Sequence, residues 1–477
     1  MIRHIRISFA LTLGLTGCAV GPNYHRPAAP APERFKEAEG WKPAEPRQAA
    51  SASSWWSVYE DPLLDSLEQQ IDVSNQTLKQ SEAAWREAVA AAQAAGAQLF
   101  PTVALDAGGT RSQTNGQSLV SGLAGRAISY NNFSLSAAPT WDLDIWGKIR
   151  RTIESDVATA KASEDELAGA RLSAQATLAT DYVELRLEDE QKQLLEDTVA
   201  AYKRAMQITE NQYNAGIVAR TDVITAEAQL GGAQSQLIGL GVQRAQLEHA
   251  IAVLIGRTPA DFSIAPAKLG ATIPVVPTGL PSSLLERRPD IATAERQMVA
   301  ANAQIGVAIS AYFPSLTLSG SYGFQSAATS TLLRAPSAAW SFGGQAAETL
   351  IDFGARKAQV KQARAAYDAA VANYRQTVLT AFQQVEDELA SLRILEAQYK
   401  VADQTVQSAN KAVELFLNQY KAGTVAYTSV VTAQTTALTD AQNLLTIRQS
   451  RLVASISLIQ AVGGGWTTST PTPALPR

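Results

Sequence analysis

The 477-residue sequence predicts a mixed α and β chain built as a tandem repeat, each repeat carrying a strand pair and a long helical hairpin. Three observations predict this. First, "ITENQYNAGIVARTDVITAE" at 208–227 returns as "LFLNQYKAGTVAYTSVVTAQ" at 415–434, so Tyr213-Asn214-Ala215-Gly216 falls on Tyr420-Lys421-Ala422-Gly423, 207 positions later. Second, no proline occurs between Pro139 and Pro259 or between Pro336 and Pro471. Proline breaks helix interiors, so two long stretches are free to be helical. Third, "QLFPTVALDAGGTRS" at 98–112 matches "AYFPSLTLSGSYGFQ" at 311–325, and each sets Phe-Pro before a period-two alternation. Alternation rich in Gly and Ser reads as strand.

The elements follow in order. Arg3 and Arg6 precede the short apolar run Ile7–Leu15, which reads as a signal segment over 1–17. Leu15-Thr16-Gly17-Cys18 then has the form of a bacterial lipobox. Cys18 is the only cysteine, so an intrachain disulfide is impossible, and it sits where lipidation requires it. Lipid on Cys18, palmitate among the acyl groups, is the one covalent group expected. More than one acyl chain gives stable anchoring at ~0.8 kcal/mol per buried methylene. Residues 18–54 read as a lipidated tether rich in Pro and Ala. A helix starts at Pro62 after Asp61, with Leu63, Leu64 and Leu67 on one face.

The first repeat spans 55–279 and the second 280–464, with a tail at 465–477. Each reads helix, strand, loop, strand, long helix, turn, helix. The second strand segments, "NNFSLSAAPTWDLDIWG" and "SAAWSFGGQAAETLIDFG", end in Trp146-Gly147 and Phe353-Gly354. In the long helices, Tyr367, Val371, Tyr374, Val378, Phe382, Val385, Leu389 and Leu392 step by three and four. Leu195, Val199, Tyr202, Met206, Thr209 and Tyr213 do the same. A helix from Gly354 to Tyr420 is roughly 100 Å long at ~1.5 Å per residue. No apolar run after Cys18 is long enough for a membrane helix, so a membrane crossing requires strands. Four strands cannot close a barrel, which needs at least ~8. Three chains give twelve, so a barrel here is shared between subunits.

Several classes are excluded. The net charge is −4 and no long basic run occurs, which argues against nucleic acid as partner. His25 and His249 are isolated, so no catalytic set and no metal-ligand spacing is present. No P-loop is found, and the chain reads as no enzyme. Arg287, Arg288 and Asp290 in "LLERRPDI" read as ion pairing around a helix begun by Pro289, not as an active site.

The segments "LTGCAVGPNYHRP" (15–27), "WWSVYEDPLLDSLE" (55–68) and above all "LPSSLLERRPDIATAERQMVAANAQIGVAISAYFPSLTLSGSYG" (280–323) resemble the TolC-like outer membrane factors, in their NodT-type lipoprotein branch. The resemblance covers nearly the whole chain. It implies a homotrimer, with a twelve-stranded barrel in the outer membrane continuous with an α-helical tunnel in the periplasm. It also implies passive export of small toxic compounds, with an inner-membrane RND-type pump and a periplasmic adapter as partners. Alanine, not aspartate, follows Cys18, which for lipoproteins implies outer-membrane lipid as the anchor site. Tyr213, Ala215, Gly216, Tyr420, Ala422 and Gly423 are then the hairpin tips that meet the adapter. Relatives often carry tunnel-facing aspartates after the second tip. This sequence has no acid there until Asp440, so an anionic gate rests on Asp222, which reads equally well as a helix-start charge. Two rivals stand beside this reading: the exit duct of a type I protein secretion system, and a lipid-anchored coiled-coil scaffold of the envelope. The scaffold leaves the two Phe-Pro strand pairs unexplained.

Overall fold

A computed structural model describes residues 19–28, 35–36, 54–113, 129–270 and 287–464. The signal segment, Cys18, most of the tether, the first strand–strand loop (114–128) and the tail (465–477) lie outside the described residues. The element order is α1 (Pro62–Ser74), α2 (Gln76–Ala97), β1 (Thr102–Gln113), β2 (Ser129–Asp142), α3 (Lys148–Asn214), α4 (Arg220–Leu254), α5 (Pro289–Ser310), β3 (Ser315–Ser326), β4 (Ala338–Ala347), α6 (Ala355–Lys421) and α7 (Tyr427–Ala461). The repeat is kept to the residue: α3 and α6 have 67 residues each, α4 and α7 have 35 each.

The repeats are not the compact units. Among the described residues, one unit comprises 19–27, 86–113, 129–162 and 295–373; the other comprises 28, 35–36, 54–85, 163–270, 287–294 and 374–464. Each takes segments from both repeats.

The first unit holds a four-stranded antiparallel sheet in the order β1-β2-β3-β4. The hairpins β1–β2 and β3–β4 have the same register, Thr102 opposite Thr140 and Ser315 opposite Ala347. β1 is exposed throughout, as is β4. Entry into both long helices uses one device. Asp144 accepts the backbone N–H groups of Ile149 and Arg150 and pairs with the Arg150 guanidinium at 3.1 Å. Asp352 does the same for Gly354 and Arg356, with the guanidinium at 2.7 Å. A carboxylate bonded to free N–H groups at a helix start is stabilising because of the orphan donors and the dipole there.

Residues 19–28, expected as part of a free tether, are instead docked. The Val20 N–H donates to Trp146 O at 3.0 Å, Arg151 donates to Asn23 at 3.0 Å, and Asn302 donates to Pro22 O at 3.1 Å. Arg26 pairs with Glu295 at 3.1 Å. The tether lacks periodicity, but its polar groups find fixed partners on α3 and α5.

The second unit holds most of the buried core, including Leu178, Leu185, Leu195, Ile251, Tyr374, Val378, Val385, Leu389 and Leu452. The Tyr374-to-Leu392 stripe read from the spacing is buried. Asp61 caps α1 by accepting from the N–H groups of Leu63 and Leu64. Leu64 and Leu67 are buried, but Leu63 is 38% exposed: it lies in the first turn and points away from the core. Arg288 pairs with Asp290 at 2.6 Å and donates to Ala461 O at 2.9 Å, the structural role expected of that run. Each hairpin is also clamped by one arginine–carboxylate pair. Arg244 meets Asp189 at 2.8 Å, and 207 positions on Arg451 meets Glu396.

Candidate functional site: the paired helical tips

The two tips lie in the second unit and are built alike. α3 ends at Asn214 and α6 at Lys421. Gly216 and Gly423 both take φ +73°, a left-handed backbone that only glycine adopts cheaply. The Gly216 N–H donates to Tyr213 O at 2.8 Å and the Ile217 N–H to Gln212 O at 2.9 Å. The Gly423 N–H donates to Tyr420 O at 2.9 Å and the Thr424 N–H to Gln419 O at 3.0 Å. Each pair satisfies carbonyls that the helix end leaves orphaned. The chain then starts α4 and α7 behind Ala219 and Ala426, neither of which offers a capping side chain.

The side chains differ. Tyr213 is 38% exposed, and Ala215, Gly216, Ala422 and Gly423 are exposed. Tyr420 is only 3% exposed and therefore offers no ring to a partner. It forms a core with Tyr427, Val430 and Ala226, against which Met206, Ile208, Val218, Phe416 and Val425 pack. The rings of Tyr420 and Tyr427 lie 5.2 Å apart, and the Tyr420 hydroxyl donates to Thr209 at 3.3 Å. This core draws on both hairpins, so the second-repeat tyrosine ties one tip to the other. The repeat comparison missed Tyr427, because its counterpart 207 positions earlier is Arg220. No periodicity could have found it, because α6 ends at Lys421 and the chain turns back before Tyr427 opens α7 against Tyr420.

Asp222 is half-buried in the first turn of α4, and its N–H donates to Ala219 O at 3.0 Å. Its counterpart is Ser429, whose N–H donates to Ala426 O at 3.1 Å. Asp222 lies within electrostatic reach of the tyrosine pair. Burial first, then Tyr420 and more weakly Asp222, pushes the Tyr427 hydroxyl up to about 12. Burial, and more weakly Asp222, raise Tyr420, against the lowering effect of its hydrogen bond with Thr209. The tip thus carries one buried aromatic core, one negative charge beside it, and an exposed rim of small residues and Tyr213. Among the described residues no group of acids, histidines or cysteines could hold a metal ion, and no helix is long and apolar enough to cross a membrane.

Four antiparallel strands with open edges, joined twice to a 67-residue helix and its returning partner, are an architecture shared with solved outer-membrane channels. The chain belongs to the outer membrane efflux protein family, whose model matches residues 67–257 and 280–464. Among curated relatives, the probable efflux pump outer membrane protein TtgC of Pseudomonas putida is 29% identical over 95% of this chain and 93% of its own length. The cation efflux system protein CusC of Escherichia coli is 28% identical over 96% of this chain and 98% of its own. Among solved structures, the outer-membrane channel OprN superposes with a TM-score of 0.88 at 28% identity, covering 94% of this chain and all of that one.

Proposed function

We propose that this protein is the passive outer-membrane exit duct of a tripartite efflux pump, and that it is not an enzyme. Three chains contribute twelve strands to one barrel and six helical hairpins to a periplasmic tunnel. An inner-membrane RND-type transporter supplies the energy, and a periplasmic adapter joins it to the tips. The cargo is small toxic compounds; relatives are named for the efflux of toluene and of cations. Lipid on Cys18 holds the chain in the outer membrane; acyl labelling that survives Cys18→Ser removes that part of the reading.

The observation that carries the proposal is the doubled tip. Two turns with the same φ and the same hydrogen bonds expose Tyr213, Ala215, Gly216, Ala422 and Gly423 above a core that needs none of them. A partly exposed tyrosine is a residue type enriched at protein interfaces, and the small residues around it leave room for a partner's backbone to approach. Tyr420 serves by fixing the two turns together. Asp222 is the gate candidate: three symmetry-related carboxylates on one axis repel one another and attract cations. The test is site-specific photo-cross-linking. A cross-linker at Tyr213 or Ala422 captures a periplasmic adapter in cells, whereas one at buried Tyr420 does not. Equal capture from all three positions, or from none in a strain with active efflux, contradicts tip docking.

A further inference from the structure

The internal repeat leaves one half of a matching interface unfilled. Within the chain, β2 pairs with β3: Thr140 faces Ser319, Trp141 faces Leu318 and Asp142 faces Thr317. The seam is closed at its foot, where the Leu143 N–H donates to Leu316 O at 2.8 Å and the Trp146 indole donates to Pro314 O at 2.8 Å. The Trp146 ring stacks on Phe313, with centroids 4.7 Å apart and an interplanar angle of 21°.

The strand pairing and the ring stack of this seam have counterparts in the other repeat; the indole hydrogen bond has none, since phenylalanine carries no donor. β2 maps onto β4 by adding 207, which carries Leu143 to Leu350 and Trp146 to Phe353. β3 maps onto β1 by subtracting 213, which carries Phe313-Pro314 to Phe100-Pro101 and Leu316 to Val103. The same two offsets turn the β1–β2 register into the β3–β4 register, Thr102–Thr140 into Ser315–Ala347, so the mapping holds across the hairpins. Yet β4 and β1 are the two free edges of the sheet. Phe353 is wholly exposed, Leu350 is 88% exposed, Phe100 68% and Val103 67%. Phe353 also sits at φ +51°, a strained backbone for a bulky residue that here secures no contact for its ring. Long exposed apolar edges of this kind are templates for pairing with another chain.

We propose that β4 of one chain pairs with β1 of a second copy in the register that sets Ala347 opposite the partner's Asp106, and that Phe353 stacks on the partner's Phe100 at the foot of that seam. This rests on the shared-barrel reading and adds the register and the anchoring contact. The same arithmetic sets Thr349 opposite the partner's Ala104 and Gly344 opposite the partner's Gly109. It also makes Leu350 the N–H donor to Val103 of the partner subunit, so Glu348 and Thr349 extend β4 on assembly. Trp146 on Phe313 and Phe353 on the partner's Phe100 then alternate around the ring, one contact within chains and one between them.

Cysteine cross-linking reads the register directly. The Leu143–Leu316 bond marks a hydrogen-bonded pair, so Thr140–Ser319, three steps along, is a non-hydrogen-bonded pair, and Ala347–Asp106 inherits that character. Such pairs hold Cα atoms about 4.5 Å apart, within the window a disulfide accepts. Moving one cysteine two residues along the strand opens this to roughly 8 Å, beyond reach. The full-length chain carrying Ala347→Cys and Asp106→Cys should form intersubunit disulfides under mild oxidation in outer membranes. The pair Ala347→Cys with Ala104→Cys should not, and the unaltered chain, with Cys18 alone, is the control. Phe353→Ala and Phe100→Ala should each lower the temperature at which detergent-solubilised trimers dissociate, and the double variant should lower it no further than the larger single change. Trimers that link through the offset pair, or through neither, overturn the register while leaving the duct reading intact. Additive losses from the two phenylalanines overturn the stack. A folded chain that stays monomeric overturns both the inference and the shared barrel.

Discussion

Gly423 is the sharpest place to test whether the tip geometry matters. Its φ of +73° lies in the left-handed region, and a Cβ built there meets nothing within 4 Å. Gly423→Ala therefore adds no clash, and its cost is the backbone alone, about 1–2 kcal/mol. That energy falls on the turn, whose closing bonds are Gly423 N–H to Tyr420 O and Thr424 N–H to Gln419 O. If those bonds open locally, amide hydrogen exchange at residues 423 and 424 should accelerate roughly 5- to 30-fold, since about 1.4 kcal/mol is tenfold. Exchange at the Tyr374-to-Leu392 core should be unaffected. Gly423→Pro is harsher. It fixes φ near −65° and deletes the N–H that reaches Tyr420 O, so the turn cannot form as built. Export, measured as drug susceptibility of a strain relying on this duct, should fail, with the protein still assembled in the membrane. Normal export with proline at both 216 and 423, or unchanged exchange in the alanine variant, would refute the reasoning.

Three further outcomes are expected. Asp222→Asn should raise single-channel conductance and weaken block by divalent cations; unaltered conduction assigns Asp222 to the helix start alone. Asp189→Ala should cost about 3–5 kcal/mol in denaturant unfolding. It strips buried Arg186 of a carboxylate at 3.2 Å and Arg244 of one at 2.8 Å, and a loss below ~1 kcal/mol would contradict the clamp. Glu68 is fully buried with neither carboxyl oxygen hydrogen-bonded, and burial, then Asp72 and Asp65, raise its pKa to about 9. A folded pKa above the unfolded 4.5 gives stability that is whole below 4.5 and declines as pH rises towards 9. The slope is at most ~1.4 kcal/mol per pH unit. Glu68→Gln should flatten that slope in thermal unfolding between pH 5 and pH 9 (chosen to span about that window), and an unchanged slope would remove the assignment.

The long helices, their turns and the four strands were legible because each rests on a local signal: missing proline, three-four spacing, Phe-Pro before alternation. The tip glycines were legible because only glycine suits their φ. What stayed hidden depends on which segments meet. Tyr420 reads as a surface tyrosine beside a turn, and only the approach of Thr209 and Ala226 from the other hairpin makes it core. Residues 19–28 read as tether because their partners, Arg151, Glu295 and Asn302, lie far along the chain. The repeats looked like two domains in sequence, yet the compact units each mix both, since packing follows the helices side by side and not chain order.

The most direct test of the central claim is single-channel recording of the purified, detergent-extracted protein in a planar bilayer, with its oligomer mass measured in the same preparation. A trimer that inserts and conducts, even in small steps through a closed tip, is the predicted result. A monomer, or an elongated particle that does not conduct, would contradict the shared barrel and turn the reading back to an envelope scaffold.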